Sequence, residues 1–469
     1  MPETWAKGGV DLHLDLDGTR VRASLETALR AAIRTRRLHP GTRLPSSRAL
    51  AADLGIARNT VAEVYGQLVA EGWLTAQTGS GTSVAPRRAA DPGPGVQGRI
   101  EVDVPRYDLR AGVPDLSAFP RRAWLATARK VLAAAPDHLL GYPDPRGLPP
   151  LRAALAEYLA RTRGVTADPG HIVICAGFAH GLAAVCRALR SAGARTLAVE
   201  AYGHQAHRDV VAGQGLRLRP VPVDGMGAVI AEAGGADAAL LTPAHQFPLG
   251  GVLAPGRRTQ AIEWAARTGG LLIEDDYDGE FRYDRQPVGA MQALAPDHVV
   301  YAGTASKSLA PGLRLGWLVV PGHLVAEVTA AKALTDRHCS SFDQLTLAEF
   351  LTSGAYDRQV RRSRLAYRRR RDHLVAAVRR HVPQARVTGV AAGLHALLEL
   401  PPGLDEDEII ARAAGRHDLA LDGLRPYSSA SSPHRPALVI GYATPPEHAF
   451  TGAVARLIAA LTGAGHGPE

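Results

Sequence analysis

The sequence predicts a multidomain protein: a small helical unit at the N-terminus, then a larger α/β unit with a mainly parallel sheet and a smaller α+β subdomain at its C-terminal end. Three observations predict it. Apolar positions at helical spacing fill the region from Leu25 to Val69 and give way to a short hairpin pattern. The stretch Pro86 to Gly98, PRRAADPGPGVQG, holds six Pro or Gly in thirteen residues and almost no apolar content, which marks a linker. Beyond it, short apolar runs ending in turn residues alternate with helical stretches, the pattern that builds a parallel sheet. The expected domains are residues 1–85, a linker over 86–105, and 106–469, with the small subdomain from about 365.

Composition narrows the class. The chain has 469 residues, 46% hydrophobic and 21% charged, as in an ordinary globular protein, which excludes a single small module, wholesale disorder and coiled coil. No run of about 18 apolar residues occurs, so no membrane span is expected. Met1 to Val10 has no apolar core of a signal peptide. Three cysteines (Cys175, Cys186, Cys339) are odd in number and lie in apolar or mixed sequence, so a reducing cytoplasm is expected rather than a disulfide framework. The net charge is +9, and only four of 54 basic residues are lysines: Lys7, Lys130, Lys307 and Lys332. A basic balance permits an anionic partner without specifying one.

In the N-terminal unit, Leu25, Ala28, Leu29, Ala32 and Ile33 follow helical spacing, and His39-Pro40-Gly41 ends that helix. A second helix is expected from Ser46 to Asp53, then a tight turn Leu54-Gly55-Ile56. A third carries Val61, Val64, Tyr65, Leu68 and Val69 on one face. Helix, short glycine turn, helix is the helix-turn-helix pattern, and Trp73 to Val84, with Gly79-Ser80-Gly81 inside it, reads as a hairpin wing. Arg43, Arg48 and Arg58 flank the second and third helices, and Arg58-Asn59-Thr60 opens the third. Residues at the start of such a helix point into the DNA major groove, where Arg and Asn make bidentate base contacts. The string LPSSRALAADLGIARNTVAEVYGQLVAEGWLTAQTGSGTSV, Leu44 to Val84, resembles the winged helix of GntR-type bacterial regulators over its whole length. The resemblance implies that Arg48, Arg58, Asn59 and Thr60 touch DNA and that the wing from Gly79 to Thr82 enters the minor groove; Arg43, from its flanking position, is expected at the DNA as well. Ala57 stands where Ser or Thr is usual, which removes a helix N-cap.

In the large unit, strands are expected at Ile172 to Cys175, Thr196 to Val199, Ala238 to Leu241, Leu271 to Ile273, Val299 to Tyr301 and Leu315 to Val320. Further strands are expected near Ala396 to Leu400 and Leu438 to Tyr442. Lys307 lies in YAGTASKSLAPGLRLGW, just past an apolar strand. A hydroxyl-rich turn around one lysine cradles a phosphate while the amine forms a Schiff base with an aldehyde. Thr304, Ser306 and Arg314 supply donors and charge for that phosphate. About thirty residues earlier, an apolar strand runs into Glu274-Asp275-Asp276-Tyr277. A carboxylate at a strand end pairs with a pyridinium nitrogen and keeps it protonated, and a tyrosine two residues on reaches a ring phenolate.

From about Tyr107 onward the chain resembles a fold-type I aminotransferase dependent on pyridoxal 5'-phosphate (PLP). The strings GYPDPRGLPPLR, TPAHQFPLG, IEDDYDGEF and YAGTASKSLAPGLRLGW are similar to those of the MocR branch, which fuses a GntR-type winged helix to an aminotransferase-like domain in the order seen here. The resemblance implies that Lys307 forms the internal aldimine, Asp275 pairs with the ring nitrogen and Tyr277 bonds the ring hydroxyl. It also implies that Thr304, Ser306 and Arg314 hold the phosphate beside the helix start at Gly177. Tyr142 would reach the phosphate of a partner subunit in a homodimer. Two departures stand out. Phe178 and Ala179 occupy positions where the family places Ser or Ala and then Gln. His204 stands for the ring-stacking tyrosine, an imidazole that titrates near neutral pH, unless Tyr202 does the stacking. An amino-acid ligand needs an arginine for its carboxylate; Arg425 is the first candidate and Arg435 the second. No metal site is expected. The eight arginines between Tyr356 and Arg371 read either as extra DNA contacts or as a solvated helix packed through its stems, the second being preferred.

The expected function is a PLP-responsive, DNA-binding transcriptional regulator, controlled by PLP or by an amino compound that reacts with it. The rivals are a working aminotransferase that carries a DNA-binding domain, and a regulator that no longer binds PLP.

Overall fold

A computed structural model describes residues 21–77, 81–86, 105–283, 288–430, 432–433 and 435–463. The wing tip with Gly79 and Ser80, positions 87–104 of the expected linker, and Met1 to Val10 lie outside the described residues. The chain divides into two compact units, residues 1–102 and 103–469.

The first unit is built from α1 (Val21–Arg34), α2 (Ser47–Leu54), α3 (Arg58–Ala70), β1 (Leu74–Gln77) and β2 (Gly81–Val84). Leu25, Leu29 and Ala32 of α1 close on Val61, Val64, Tyr65 and Leu68 of α3, with Leu50, Leu74 and Val84 completing the core. Ser46 caps α2 by accepting from Ala49 N at 3.2 Å, and Gly55, at φ 63°, ends it in the left-handed region and donates to Ala51 O. That glycine turns the chain, and α3 starts three residues later at Arg58. β1 and β2 form the antiparallel wing, from Leu74 opposite Val84 to Gln77 opposite Gly81.

The second unit opens with β3 (Tyr107–Asp108), α4 (Arg121–Ala134) and α5 (Pro149–Arg163). The sheet region follows: β4 (Ile172–Cys175), α6 (Phe178–Ser191), β5 (Thr196–Glu200), α7 (Gln205–Gly213), β6 (Arg217–Val221), the small hairpin β7 (Val223–Asp224) and β8 (Gly227–Ala228), β9 (Ala238–Leu241), α8 (Pro255–Thr268), β10 (Leu271–Asp275), β11 (Val299–Thr304) and β12 (Gly316–Val319). Seven of these strands make one sheet in the order β4-β12-β11-β10-β9-β5-β6, parallel except for β12, which runs against both neighbours. Its central strands are buried on both faces, as a sheet covered by helices requires. Leu271 and Ile273 face α6, α7 and α9 (Val325–Asp336), whereas Leu272 faces Ala261, Trp264 and Ala265 of α8. The edge strand β6, RLRPV, was missing from the sequence expectation. It is largely exposed and holds Pro220, which an edge strand tolerates and a central one does not.

The chain then runs through α10 (Ser341–Thr352) and α11 (Ala355–His381) into β13 (Arg386–Thr388), β14 (Ala396–Glu399), α12 (Glu406–His417), β15 (Leu419–Ala420), β16 (Asp422–Gly423), β17 (Ala437–Ile440) and α13 (Glu447–Thr462). β13, β14, β17 and β16 form the antiparallel sheet of the small subdomain. The boundary expected near 365 falls inside α11. Tyr356 and Val360 pack with α5 and α10, whereas Tyr367, Leu374 and Val378 belong to the small-subdomain core. One 27-residue helix therefore serves both. The short pairing of β3 with β15 ties Tyr107 and Leu109 to the small subdomain. All three cysteines are free and buried. Among the described residues no helix is long and apolar enough to cross a membrane.

Ala57 precedes α3 in an extended conformation and makes no side-chain cap. Ala57→Ser supplies an acceptor for the orphan amides of the first turn. It should stabilise the N-terminal unit by about 1 kcal/mol, read as a higher denaturant midpoint at unchanged slope; an unchanged midpoint would show that the amides find no use for it.

Candidate functional site

The carboxyl ends of parallel strands are where an α/β sheet gathers ligand groups. Asp275 ends β10, with Tyr277 two residues on. Thr304 ends β11, and the turn to β12 carries Ser306, Lys307 and Arg314. β4 leads through Gly177 into α6, and β5 leads through Tyr202 and His204 into α7. All of these except Gly177 line one cavity of about 270 Å³, close to the lower end of ordinary small-molecule pockets, about 300 Å³. Phe178, Ala179, His207, Phe247 and His395 also line it.

Strand alternation sorts the acidic run. Glu274 accepts from Met291 N at 2.9 Å and from Gln292 N at 3.1 Å. Asp276 is held by Arg163 through two bonds, Nε at 2.6 Å and Nη2 at 3.0 Å, and accepts from Tyr301 OH at 2.7 Å. Both are consumed by structure. Asp275 alone turns to the cavity. Burial raises its carboxyl well above the usual range, and the charge of Lys307 opposes that rise. Burial in turn lowers the Lys307 amine, against the pull of Asp275 and Asp278, which favours its nucleophilic neutral form. Its Nζ donates to Gly112 O.

The turn after β11 is braced from within. Thr304 Oγ1 donates to Ser306 Oγ at 2.9 Å and accepts from Ser306 N at 3.1 Å. Arg314 takes up the left-handed region at φ 51°, and its Nη2 donates to Ala176 O. A Cβ at Gly177, where φ is 90°, would come within 3.1 Å of that guanidinium, so only glycine leaves this corner open.

Sequence reasoning missed the next layer. Tyr277 OH donates to His245 O at 3.0 Å and lies 3.1 Å from His245 Nδ1, which is 2.7 Å from Asp278 Oδ2. His245 lies in TPAHQFPLG, a string quoted above for its resemblance alone; its distance of 33 residues from Asp278 hides the pairing. His204 stacks on Phe247 with ring centroids 4.1 Å apart and planes 10° apart. The neutral-pH titration expected for it is corrected. Burial, with help from Lys307, lowers it to about 4, and burial lowers His207 to about 3. Tyr202, the alternative, is 4% exposed, lines the same cavity, and donates from its hydroxyl to Pro433 O at 3.0 Å.

Besides Gly177, three expected residues do not line the cavity of their own chain. Arg425 is tied to Asp407, to Asp405 at 3.5 Å and to Glu406 at 3.8 Å, which leaves no free fork for a ligand carboxylate. Arg435 lines a separate groove. Tyr142 is 83% exposed beside His338 and Arg337. In the first unit, Arg43, Arg48, Arg58 and Asn59 are exposed and Thr60 half-buried, with Arg58, Asn59 and Thr60 forming the first turn of α3. Thr82 lies in β2, and the Arg43 side chain passes close to Gly81.

Comparison with known proteins decides the family. Residues 22–84 match the bacterial regulatory proteins of the gntR family, and residues 107–420 match aminotransferase class I and II. The probable rhizopine catabolism regulatory protein MocR of Rhizobium meliloti is 32% identical over 456 residues, 92% of each chain. The chain belongs to the MocR-type regulators. These are DNA-binding transcriptional regulators that carry an aminotransferase-like domain. Another MocR-type relative, the pyridoxine biosynthesis transcriptional regulator PdxR of Corynebacterium glutamicum, is 34% identical over 384 residues, 81% of this chain and 83% of its own. Among solved structures, LysN, an α-aminoadipate aminotransferase of Thermus thermophilus complexed with N-(5'-phosphopyridoxyl)-L-leucine, is 25% identical. Its TM-score is 0.67 over 76% of this chain and 92% of its own.

The histidine shift has a sign. The unfolded chain takes a proton at about 6.5, the folded His204 at about 4, so its share of stability is whole above 6.5 and is lost as pH falls toward 4. In NMR of histidine-labelled protein, the resonance that disappears in His204→Phe should stay that of a neutral imidazole at about pH 6; a midpoint near 6.5 would mean the ring is solvated.

Proposed function

We propose that this MocR-type regulator holds PLP in the cavity at the strand ends, and that PLP, or an amino compound reacting with it, controls operator binding by the winged helix. The observation that carries this reading is the convergence of Lys307, Asp275, Tyr277, Thr304, Ser306 and Arg314 on one cavity. The residues fit the group. Arg314, Thr304 and Ser306 line the cavity together with Phe178 and Ala179, the first residues of α6, a set of cation, hydroxyls and helix-start amides that suits a phosphate. When bound, PLP supplies an electrophilic aldehyde and an electron-withdrawing ring. Lys307 would hold the aldehyde carbon through its desolvated amine. Asp275 would hold a proton at the ring nitrogen, Tyr277 would bond the ring hydroxyl, and His204, fixed on Phe247, would cover the ring face. Thr304 and Ser306 would donate to the phosphate. Arg43, Arg48, Arg58, Asn59 and Thr60, with Thr82 and Gly79 on the wing, would meet the DNA. We place the protein in the cytoplasm.

The working unit in this reading is a homodimer. α4 has no buried residue in the isolated chain; Leu125, Leu132, Leu140 and Phe342 on α4 and its neighbours are 46–61% exposed, and Tyr142 is exposed too. An apolar face of this kind asks for a second copy. Tyr142 would then complete the phosphate site of a partner subunit.

A working aminotransferase is the second reading, favoured by the presence of Lys307, Asp275 and Tyr277 together. Against it, the two arginines lining the cavity are engaged. Arg208 donates to the carbonyls of Glu200, Ala201 and Tyr427, and Arg314 donates to Ala176. Arg208 is therefore no free fork for the carboxylate of an amino-acid substrate, and Arg314 is assigned to the phosphate in either reading.

Adding PLP to the purified protein should give an absorbance band, distinct from that of free PLP, that Lys307→Ala abolishes while far-ultraviolet circular dichroism stays unchanged. A band of equal strength in the variant would move the cofactor off Lys307. Sustained turnover of an amino donor with a keto acceptor, neither of which altered DNA binding, would overturn the regulator reading in favour of the enzyme.

A further inference from the structure

Helix α11 carries ten arginines against two aspartates, a formal +8 in 27 residues of a chain whose total is +9. Few of those charges are used. Arg370 is buried and paired with Asp115 at 2.7 Å and Glu447 at 2.9 Å. Arg364 Nε donates to Glu280 O at 2.8 Å, and Arg371 Nη2 donates to Gly389 O at 3.4 Å. The other seven are exposed: Arg358, whose Nη1 donates to Ser353 O at 3.2 Å, and Arg361, Arg362, Arg368, Arg369, Arg379 and Arg380. At 3.6 residues per turn they share an arc of roughly 120°, away from Tyr356, Val360, Tyr367, Leu374 and Val378, which seal the cores. Among the described residues the one carboxylate that meets them is Asp372, 4.0 Å from Arg368; Asp357 is turned to Arg161 at 2.8 Å. Like charges three and four residues apart on a helix repel one another, so this face is held in a state that a polyanion would relieve.

We propose that this face of α11 is a second DNA surface, which grips the phosphate backbone without reading bases. From Arg358 to Arg380 the stripe runs for roughly 33 Å at 1.5 Å per residue, about the 34 Å of one turn of duplex. Guanidinium forks match phosphate oxygens and stay charged at every physiological pH. The face offers little for a lipid bilayer, because the apolar side of the helix is the buried one and Leu365 is its one large exposed apolar residue. Of the two sequence readings, the preferred one was a partly solvated helix packed through its stems; Arg370 is buried and paired, and the other alternative, DNA contact, is taken up for the seven exposed arginines. The inference rests on the regulator's DNA binding and is independent of PLP.

The test measures binding of the full-length protein to a labelled mixed-sequence duplex of about 40 base pairs, roughly four turns, as salt is raised. Each phosphate contact contributes about 0.9 to the slope of log affinity against log salt. Replacing Arg361, Arg362, Arg368 and Arg369 together by Gln should therefore lower that slope by roughly 3–4, with the mass by light scattering and the PLP absorbance unchanged. Replacing the same four by Lys should keep the wild-type slope. An unchanged slope in the Gln variant overturns the proposal, as does equal loss in both variants. A Gln variant that changes oligomeric mass assigns the face to a protein interface, and capture of the wild type by phosphatidylserine vesicles with no change in DNA slope assigns it to a membrane. If the wild-type protein fails to bind duplex at all, it is the regulator reading that falls.

Discussion

The buried pair of Arg163 and Asp276, with Tyr301 as third partner, fixes the carboxyl end of β10, and the cavity depends on that end. Two bonds from one guanidinium lock the Asp276 carboxylate, whose side chain is 1% exposed. Removing one partner of such a pair costs about 3–5 kcal/mol, because it strands a buried charge. With Asp276 facing Arg163 and Glu274 held by two amides on the same side, the pleat leaves Asp275 only the cavity to face. A carboxyl so buried ionises only at a cost to the fold, which the charge of Lys307 opposes. Such a group is a feature of sites where a ligand supplies the missing charge.

The same logic runs through the neighbouring groups. Lys307 is desolvated on one side and drawn toward charge by Asp275 and Asp278 on the other. Gly177 and Arg314 leave a concave corner that a side chain would close. His245 and Asp278 hold the Tyr277 hydroxyl, so its proton already has a fixed partner in His245 O. In the proposed reading, a ligand that bonds these groups better in one arrangement of the unit than in another would bias a distant function. The winged helix supplies the function to be biased, with its own core and its own exposed arginines.

Much of this was legible in the residues. The helix-turn-helix was readable because Ser46, Gly55 and the apolar spacing of α3 act locally, and the strand set because central parallel strands are short continuous apolar runs. β6 escaped because an edge strand alternates and tolerates Pro220. The β3–β15 pairing escaped because it joins two two-residue strands more than three hundred positions apart. Within the site, Asp275, Tyr277, Thr304, Ser306, Lys307 and Arg314 sit in motifs that place them beside each other along the chain. The His245–Asp278 pair and the His204–Phe247 stack join separate loops, and no local signal announces them. Arg425 misled for a physical reason. Among so many arginines, sequence does not show which are already spent, and the acidic start of α12, with Asp405 just before it, takes this one. His204 was expected to titrate near neutrality because an imidazole in water does; the cavity wall removes the water.

The central claim is that the cavity and the DNA surface share one equilibrium. Linkage requires reciprocity: if PLP changes operator affinity by some factor, operator must change PLP affinity by the same factor. The most direct measurement is a titration of the protein with PLP by absorbance, with and without saturating operator DNA, beside an operator titration with and without PLP. The account predicts two equal factors, about fivefold or more, in the wild type and none in Lys307→Ala. Tight PLP binding that operator leaves untouched would contradict it, and would make the cavity a cofactor site with no part in regulation.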